Sequence, residues 1–419
     1  MSKENLLFYI GHETIPELIG YLKEINAKHI VLVSDDNEYK AFGALVENAL
    51  REAKFIVKNI VLSGEEIGAN EKYIVQVILP SDETEQLFIA VGSGTVTDIV
   101  RFVSYRAKSS FISLPTAPSV DGFASNGSSM TIMGFKQTIL SRPPIAIFAD
   151  LETLCKAPRP LIASGFGDMF GKFTALADWK LANLINGDPY DAAIAERSQN
   201  ARNKVVIQAK KLNEDWEFSV KSVMEALYEE GLCMLEFGNS RPASGSEHQF
   251  SHYWEMTLLR EGRPAVFHSA KVGLASIWIA KYYEMIREMS KEEAVDRLDN
   301  MLIVDPEVET QKIIRGYGKQ VASSILSHQE AHLNMTSEKH ELLKKRIIDN
   351  WDEIQEIAAE VPSSDEMRAL IKLVGGITEP AELGLTNEDI GNAIEYAQYV
   401  RKAFTILNIT QMLNSRPLI

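Results

Sequence analysis

The chain has 419 residues, enough for two domains, and its 45% hydrophobic and 24% charged content suits a globular protein with a sizeable core. A formal net charge of −15 argues against a nucleic-acid partner, because a phosphate backbone demands basic surface. A small anionic substrate stays open, since a few Lys or Arg reverse the potential inside a cleft.

The N-terminus, "MSKENLLFYIGHETIPELIG", lacks the basic start and long apolar stretch of a signal peptide. No uninterrupted apolar run reaches the roughly 20 residues that span a bilayer. Two cysteines, Cys155 and Cys233, fit a reducing compartment and read as inert thiols. The expectation is a cytoplasmic protein with no membrane partner.

Along the first 150 residues, β-branched runs alternate with stretches of helical spacing. "LLFYIG", "HIVLVSD", "FIVKNIVLSG", "LFIAVGS", "SSFISLPTA" and "PIAIFAD" read as strands. "IPELIGYLKEINAK", "EYKAFGALVENALREAK", "NEKYIVQVIL" and "TVTDIVRFVSYRAK" read as helices between them. Such alternation predicts a mostly parallel sheet covered by helices. "SSMTIMGFKQTIL", with a Gly between two β-prone runs, reads as a hairpin inserted before the last strand. Beyond Asp150 the chain is prolines and then helix-like to the end. The fold class expected is therefore α/β plus α: a dinucleotide-binding domain over residues 1–155 and an all-helical domain over residues 156–419, with a ligand cleft between them.

"LFIAVGSGTVTDIVRFVSYR" places Gly92 and Gly94 between a strand and a helix. Glycines there let a backbone approach a phosphate, and the N–H groups opening the helix face the anion. At the end of the second strand, in "VLVSDDNEYK", Asp35, Asp36 and Asn37 are placed to accept from an adenosine ribose or to cap the following helix. "LPTAPSVDGFASNGSSM" leaves the carboxyl end of the fifth strand, where ligands bind such sheets, and carries Asp121.

In the helical part, "SGFGDMFGKFTALADW" sets Asp168 between glycines near a helix start. "SGSEHQFSHYWEM" puts His248 and His252 four apart on one helical face. "AVFHSAKVG" adds His268. One Asp and two or three His can supply three metal ligands with an open position. Spacing alone pairs His248 with His252.

Taken together, "VGSGTVTDI", "PTAPSVDGFAS", "GFGDMFGK", "SGSEHQFSHYWEM" and "VFHSAKVG" resemble the glycerol-1-phosphate dehydrogenase family, in its bacterial branch. The match spans about residues 30 to 275, within a superfamily that includes 3-dehydroquinate synthases, glycerol dehydrogenases and iron-type alcohol dehydrogenases. The resemblance implies that Asp168, His248 and His268 hold one divalent metal, nickel or else zinc, and that His252 faces the substrate. It implies NAD(H), and less well NADP(H), contacted by Gly94, Thr95, Val96, Thr97, Asp98, Thr116, Ala117, Pro118, Ser119 and Ser125, with Asp35 a looser match. It makes Asp121 and Asp168 substrate contacts, Asp121 and His252 catalytic, and the assembly a homodimer. The activity it implies is reversible reduction of dihydroxyacetone phosphate to sn-glycerol 1-phosphate, feeding lipid or glycerophosphate metabolism. Within the superfamily a 3-dehydroquinate synthase is the first competitor, but its usual Gly-Gly-Lys is missing from "VDGFASNGSSM". A glycerol dehydrogenase, or a sensor that merely holds NAD and metal, are the others. Lys172, Arg241 and Lys271 stand near the motifs as cations for the substrate phosphate.

Overall fold

A computed structural model describes residues 6–64, 67–81 and 86–417; Met1 to Asn5, part of the stretch read for a leader, lie outside the described residues. Six strands form one parallel sheet: β1 (Leu7–Gly11), β2 (His29–Asp35), β3 (Ile56–Leu62), β4 (Leu87–Val91), β5 (Phe111–Leu114) and β8 (Ala146–Asp150), in the order β1-β8-β5-β4-β2-β3. Successive side chains of β2 explain why both faces are covered. Ile30 and Leu32 pack with Leu18, Phe42, Val46 and Leu50 on one side. Val31 and Val33 pack with Tyr73, Val77, Ile99 and Val103 on the other. A strand apolar on both faces belongs inside a parallel sheet with helices above and below. The inserted hairpin is present as β6 (Gly127–Ile132) and β7 (Phe135–Leu140), paired antiparallel.

The chain forms two compact units: residues 1–169 with 203–240, and residues 170–202 with 241–419. They interleave along the sequence, whereas the sequence reading divides the chain once, near residue 155. The helices Leu151–Lys156, Arg159–Phe170 and Trp216–Phe237 thus accompany the sheet, the last through the Tyr228 ring stacked on Phe8 at 4.0 Å. Cys155 lies in this unit, and burial pushes its thiol up to about 11, which leaves it inert at neutral pH.

The second unit is helical. Its centre is the helix Ser246–Arg260, packed along His268–Glu288. Phe250, Tyr253 and Trp254 of the first helix and Tyr282 and Tyr283 of the second are fully buried there. Among the described residues no helix is long and apolar enough to cross a membrane.

Candidate functional site

In the sheet unit, β4 runs into Gly92 and Ser93, and the next helix, Gly94–Arg106, begins at once. β2 and β4 are neighbours, so the residues after β2 lie beside this turn. Asp35, the ribose candidate, accepts from the Glu38 backbone N–H at 2.8 Å and caps a short helix. The carboxyl group that reaches the turn is that of Glu38, which sequence reasoning passed over. Its Oε1 accepts from the Ser93 N–H at 2.6 Å, and its Oε2 is buried with no hydrogen-bond partner among the described residues. A Cβ on Gly92 would meet it, so this glycine leaves room for the Glu38 carboxyl as it stands. Burial and then the neighbouring Asp35 push the Glu38 carboxyl up to about 8, and the Ser93 hydrogen bond offsets only part of that rise.

Of the expected cofactor contacts on this helix, Gly94, Thr95 and Asp98 are partly exposed. Val96 packs into the core, so only its backbone can serve a ligand. Thr97 is buried with its hydroxyl 3.5 Å from Ser113. Asp98 pairs at 2.6 Å with Arg101, a fully buried guanidinium that also donates to the carbonyls of Gly122, Phe123 and Gly127. Arg101 thereby pins the loop that follows β5. The Asp98–Arg101 spacing of three on one helix was the sequence signal for the pair. Burial lowers its affinity for the proton, and Asp98 opposes that.

That loop holds Thr116, Ala117, Pro118 and Ser119, all buried, and Ser125, whose hydroxyl donates to Gly122 O at 3.0 Å. The Asp121 N–H donates to Asp168 Oδ2 at 3.0 Å, which joins two of the expected site residues. Asp168 is not near a helix start, as the sequence suggested. Its helix opens at Arg159, with Pro160 in the first turn, and runs to Phe170. Gly165 does not break that helix; it admits the Pro118 carbonyl where a Cβ would collide.

In the helical unit the first turns of Ser246–Arg260 are polar yet buried: Ser246, Glu247, His248, Gln249, Ser251 and His252. Burial of such groups is tolerable only when they are hydrogen-bonded. Asp178 supplies much of this by accepting from the Ser246 N–H at 2.7 Å, the Ser246 hydroxyl at 2.6 Å, the Ile406 N–H at 2.7 Å and the Tyr283 hydroxyl at 2.8 Å. Even so, burial and then Glu247 push its carboxyl up to about 6. Glu247 accepts from Thr174 and from the Gly245 N–H, and its Oε1 lies 2.7 Å from His248 Nδ1. A carboxylate there holds the proton on Nδ1 and makes Nε2 the electron-pair donor of the His248 ring.

The three histidines converge. The His248 and His252 ring centroids are 6.0 Å apart, and each lies 5.3 Å from that of His268. His268 Nδ1 is buried without a hydrogen-bond partner among the described residues, an unmade bond of the kind a metal ligand leaves. Imidazoles brought together in this way suit a borderline divalent ion such as zinc or nickel.

Beside His252 stands a residue outside every sequence motif. Arg401 directs NH2 at His252 Nδ1, 3.3 Å away, and donates from NH1 to Ser244 Oγ at 2.7 Å. The three cations named from sequence are placed otherwise. Lys172 donates to Ala243 O at 2.8 Å, Arg241 to Asp188 at 2.8 Å, and Lys271 to Glu255 at 3.0 Å.

The family profile of the iron-containing alcohol dehydrogenases matches residues 9–158, which carry the sheet and its glycine turn. The chain is 34% identical over 402 residues to a glycerol-1-phosphate dehydrogenase [NAD(P)+] from Geobacillus thermodenitrificans, covering 95% of this chain and 90% of that one. It is 39% identical over 282 residues to the enzyme of that name from Bacillus subtilis, 67% of this chain and 72% of that one. The chain belongs to the glycerol-1-phosphate dehydrogenase [NAD(P)+] family. Its fold is shared with a sulfoacetaldehyde reductase from Bifidobacterium kashiwanohense, solved in complex with NAD+, at a TM-score of 0.61 and 14% identity over 99% of this chain and 97% of that one.

Proposed function

We propose that this chain reduces dihydroxyacetone phosphate reversibly to sn-glycerol 1-phosphate with NAD(P)H. The observation that carries the reading is the similarity to glycerol-1-phosphate dehydrogenases along 95% of the chain. Asp168, His248 and His268 would hold one divalent metal, nickel before zinc. When bound, that ion supplies Lewis-acid stabilisation of the negative charge that develops on the carbonyl oxygen. The N–H groups at Gly94 and Thr95, with the loop Thr116–Ser119 and Ser125, would hold the dinucleotide and aim its nicotinamide at the carbonyl carbon.

Bound there, the cofactor would supply hydride to that carbon, and the oxygen would then need a proton. Arg401 can only donate, so His252 accepts at Nδ1 and keeps its proton on Nε2, from which it would donate a hydrogen bond to the oxygen or to a water, and the proton that the oxygen takes would come from solvent through that water. Asp121, held by its N–H to Asp168, is the second polar contact for the substrate. We further infer a preference for NADH, a cytoplasmic homodimer, and a product that enters lipid or glycerophosphate metabolism.

The test is consumption of NADH with dihydroxyacetone phosphate, with dihydroxyacetone as the control and chiral analysis of the product. Phosphate-dependent turnover yielding the sn-1 enantiomer is expected. Preference for unphosphorylated dihydroxyacetone would instead make the chain a glycerol dehydrogenase, and no turnover of either would leave a protein that only holds NAD and metal.

A further inference from the structure

We propose that the Glu38 carboxyl group competes with the dinucleotide for the glycine turn, and so sets how tightly the chain takes its cofactor. The inference rests on the proposed reading of residues 92–95 as the seat of the dinucleotide. A glycine turn that opens a helix suits an anion for two reasons: its N–H groups need acceptors, and the missing Cβ lets a ligand come close. Here both features serve a side chain of the protein itself. Oε1 of Glu38 takes the Ser93 N–H at 2.6 Å, and Oε2 lies against the space that a Cβ on Gly92 would fill.

Glu38 reaches the turn through the backbone that follows β2. Asp35 caps the short helix Asp36–Glu38, and a π-helical stretch, Tyr39–Gly43, carries it into the helix Ala44–Glu52. Stretches of π-helix gather at functional sites. Ser93 holds one carboxyl oxygen, while the other is buried with no hydrogen-bond partner among the described residues. The unmade bond offsets the made one, so a ligand that satisfies the turn can expel the carboxyl. What Gly92 meets is the far end of a flexible side chain, and Asp36, Asn37 and Lys40 beside it are exposed, so the freed group has solvent to enter.

The charges around Glu38 link this exchange to a proton. On its own turn are Asp36, Tyr39 and Lys40; β2 brings Asp35; β4 and residues 92–95 bring no charged side chain. The helix Ala44–Glu52 brings Glu47, which is bonded to Tyr39, Arg51 and Asn59. Burial and then Asp35 push the carboxyl up to about 8, so below that pH it sits on the turn with its proton. In solvent it returns towards its ordinary 4.5 and ionises. Between those values, dinucleotide binding should release a proton.

The full-length wild type, Glu38→Ala and Glu38→Gln are titrated with NADH and with ADP at about pH 6.5, by calorimetry in two buffers of different ionisation enthalpy. Glu38→Ala clears the seat and should bind both ligands about 10-fold more tightly, because the fraction of chains with a free turn rises. Glu38→Gln keeps an acceptor for Ser93 and should stay within about threefold of wild type. Wild type should release about one proton per NADH, and the variants none. Unchanged or weaker binding by Glu38→Ala overturns the proposal, since the carboxyl would then be a bystander or a contact for the ligand. The proton count is independent of how that variant folds. No release by wild type would mean that the carboxyl keeps its place when NADH binds, and overturns the proposal too. Dihydroxyacetone phosphate is then added to each NADH complex. Binding without turnover in all three sinks the functional reading and leaves the competition at the turn standing, whereas no NADH binding by any of them overturns both.

Discussion

Two regions with buried carboxyl groups behave in opposite ways. At the N-terminus of the histidine helix, Asp178 accepts four hydrogen bonds, and its neighbour Glu247 is bonded at both oxygens. At the glycine turn, Glu38 has one oxygen on the Ser93 N–H and the other buried with no hydrogen-bond partner among the described residues. A satisfied carboxylate builds and orients; an unsatisfied one is destabilising until a ligand, or a proton, completes it. The helical unit has fixed its geometry in advance, while the glycine turn has left a bond to be made.

The largest break of this comparison is at the metal. Prolonged chelation should abolish turnover, and one divalent metal should restore it; full activity in protein shown to be metal-free by elemental analysis contradicts the donor set. Next comes Glu247→Gln. An amide presents a donor to His248 Nδ1, which moves the ring proton to Nε2, the nitrogen proposed to hold the metal. Metal affinity measured by competition with a chelating dye should fall about 10- to 100-fold. An unchanged affinity would mean that Glu247 only supports the fold.

The carboxyls themselves separate on stability. Asp178→Asn turns an acceptor into a donor facing donors and should cost about 1–3 kcal/mol in urea unfolding at pH 7. Glu38→Gln should do the reverse in alkali. The unfolded carboxyl ionises near an ordinary 4.5, whereas the folded one keeps its proton until about 8. The folded state therefore binds more protons across that window, and wild-type stability falls as pH rises through it. Glu38→Gln removes this dependence, so its melting temperature relative to wild type should climb from pH 5 to pH 8 and then level off. Parallel pH curves for the two proteins would show that Glu38 is ionised in the fold.

The strands and the hairpin were legible because continuous β-branched runs and a Gly between β-prone runs are local signals. The glycine turn was legible for the same reason. Glu38 was not, because in "DDNEYK" nothing local says that Asp35 turns inward to cap while Glu38 reaches Ser93. Nor was the place of Asp168 in its helix, since Gly165 looks like a breaker until the Pro118 carbonyl beside it is seen. Arg401 lies 149 residues from His252, beyond the reach of spacing arguments. Glu247 was in full view beside His248, but its role comes from the loop Gly245 and from Thr174, both of which donate to it.

The division of labour among the three histidines is the centre of the account, and metal content measured beside turnover tests it most directly. In folded, purified variants, His248→Ala and His268→Ala should lose both metal and activity. His252→Ala should keep near-stoichiometric metal while kcat/KM falls about 10²- to 10⁴-fold. A metal-free His252→Ala beside a metal-replete His268→Ala would contradict it and return the metal to the i, i+4 pair.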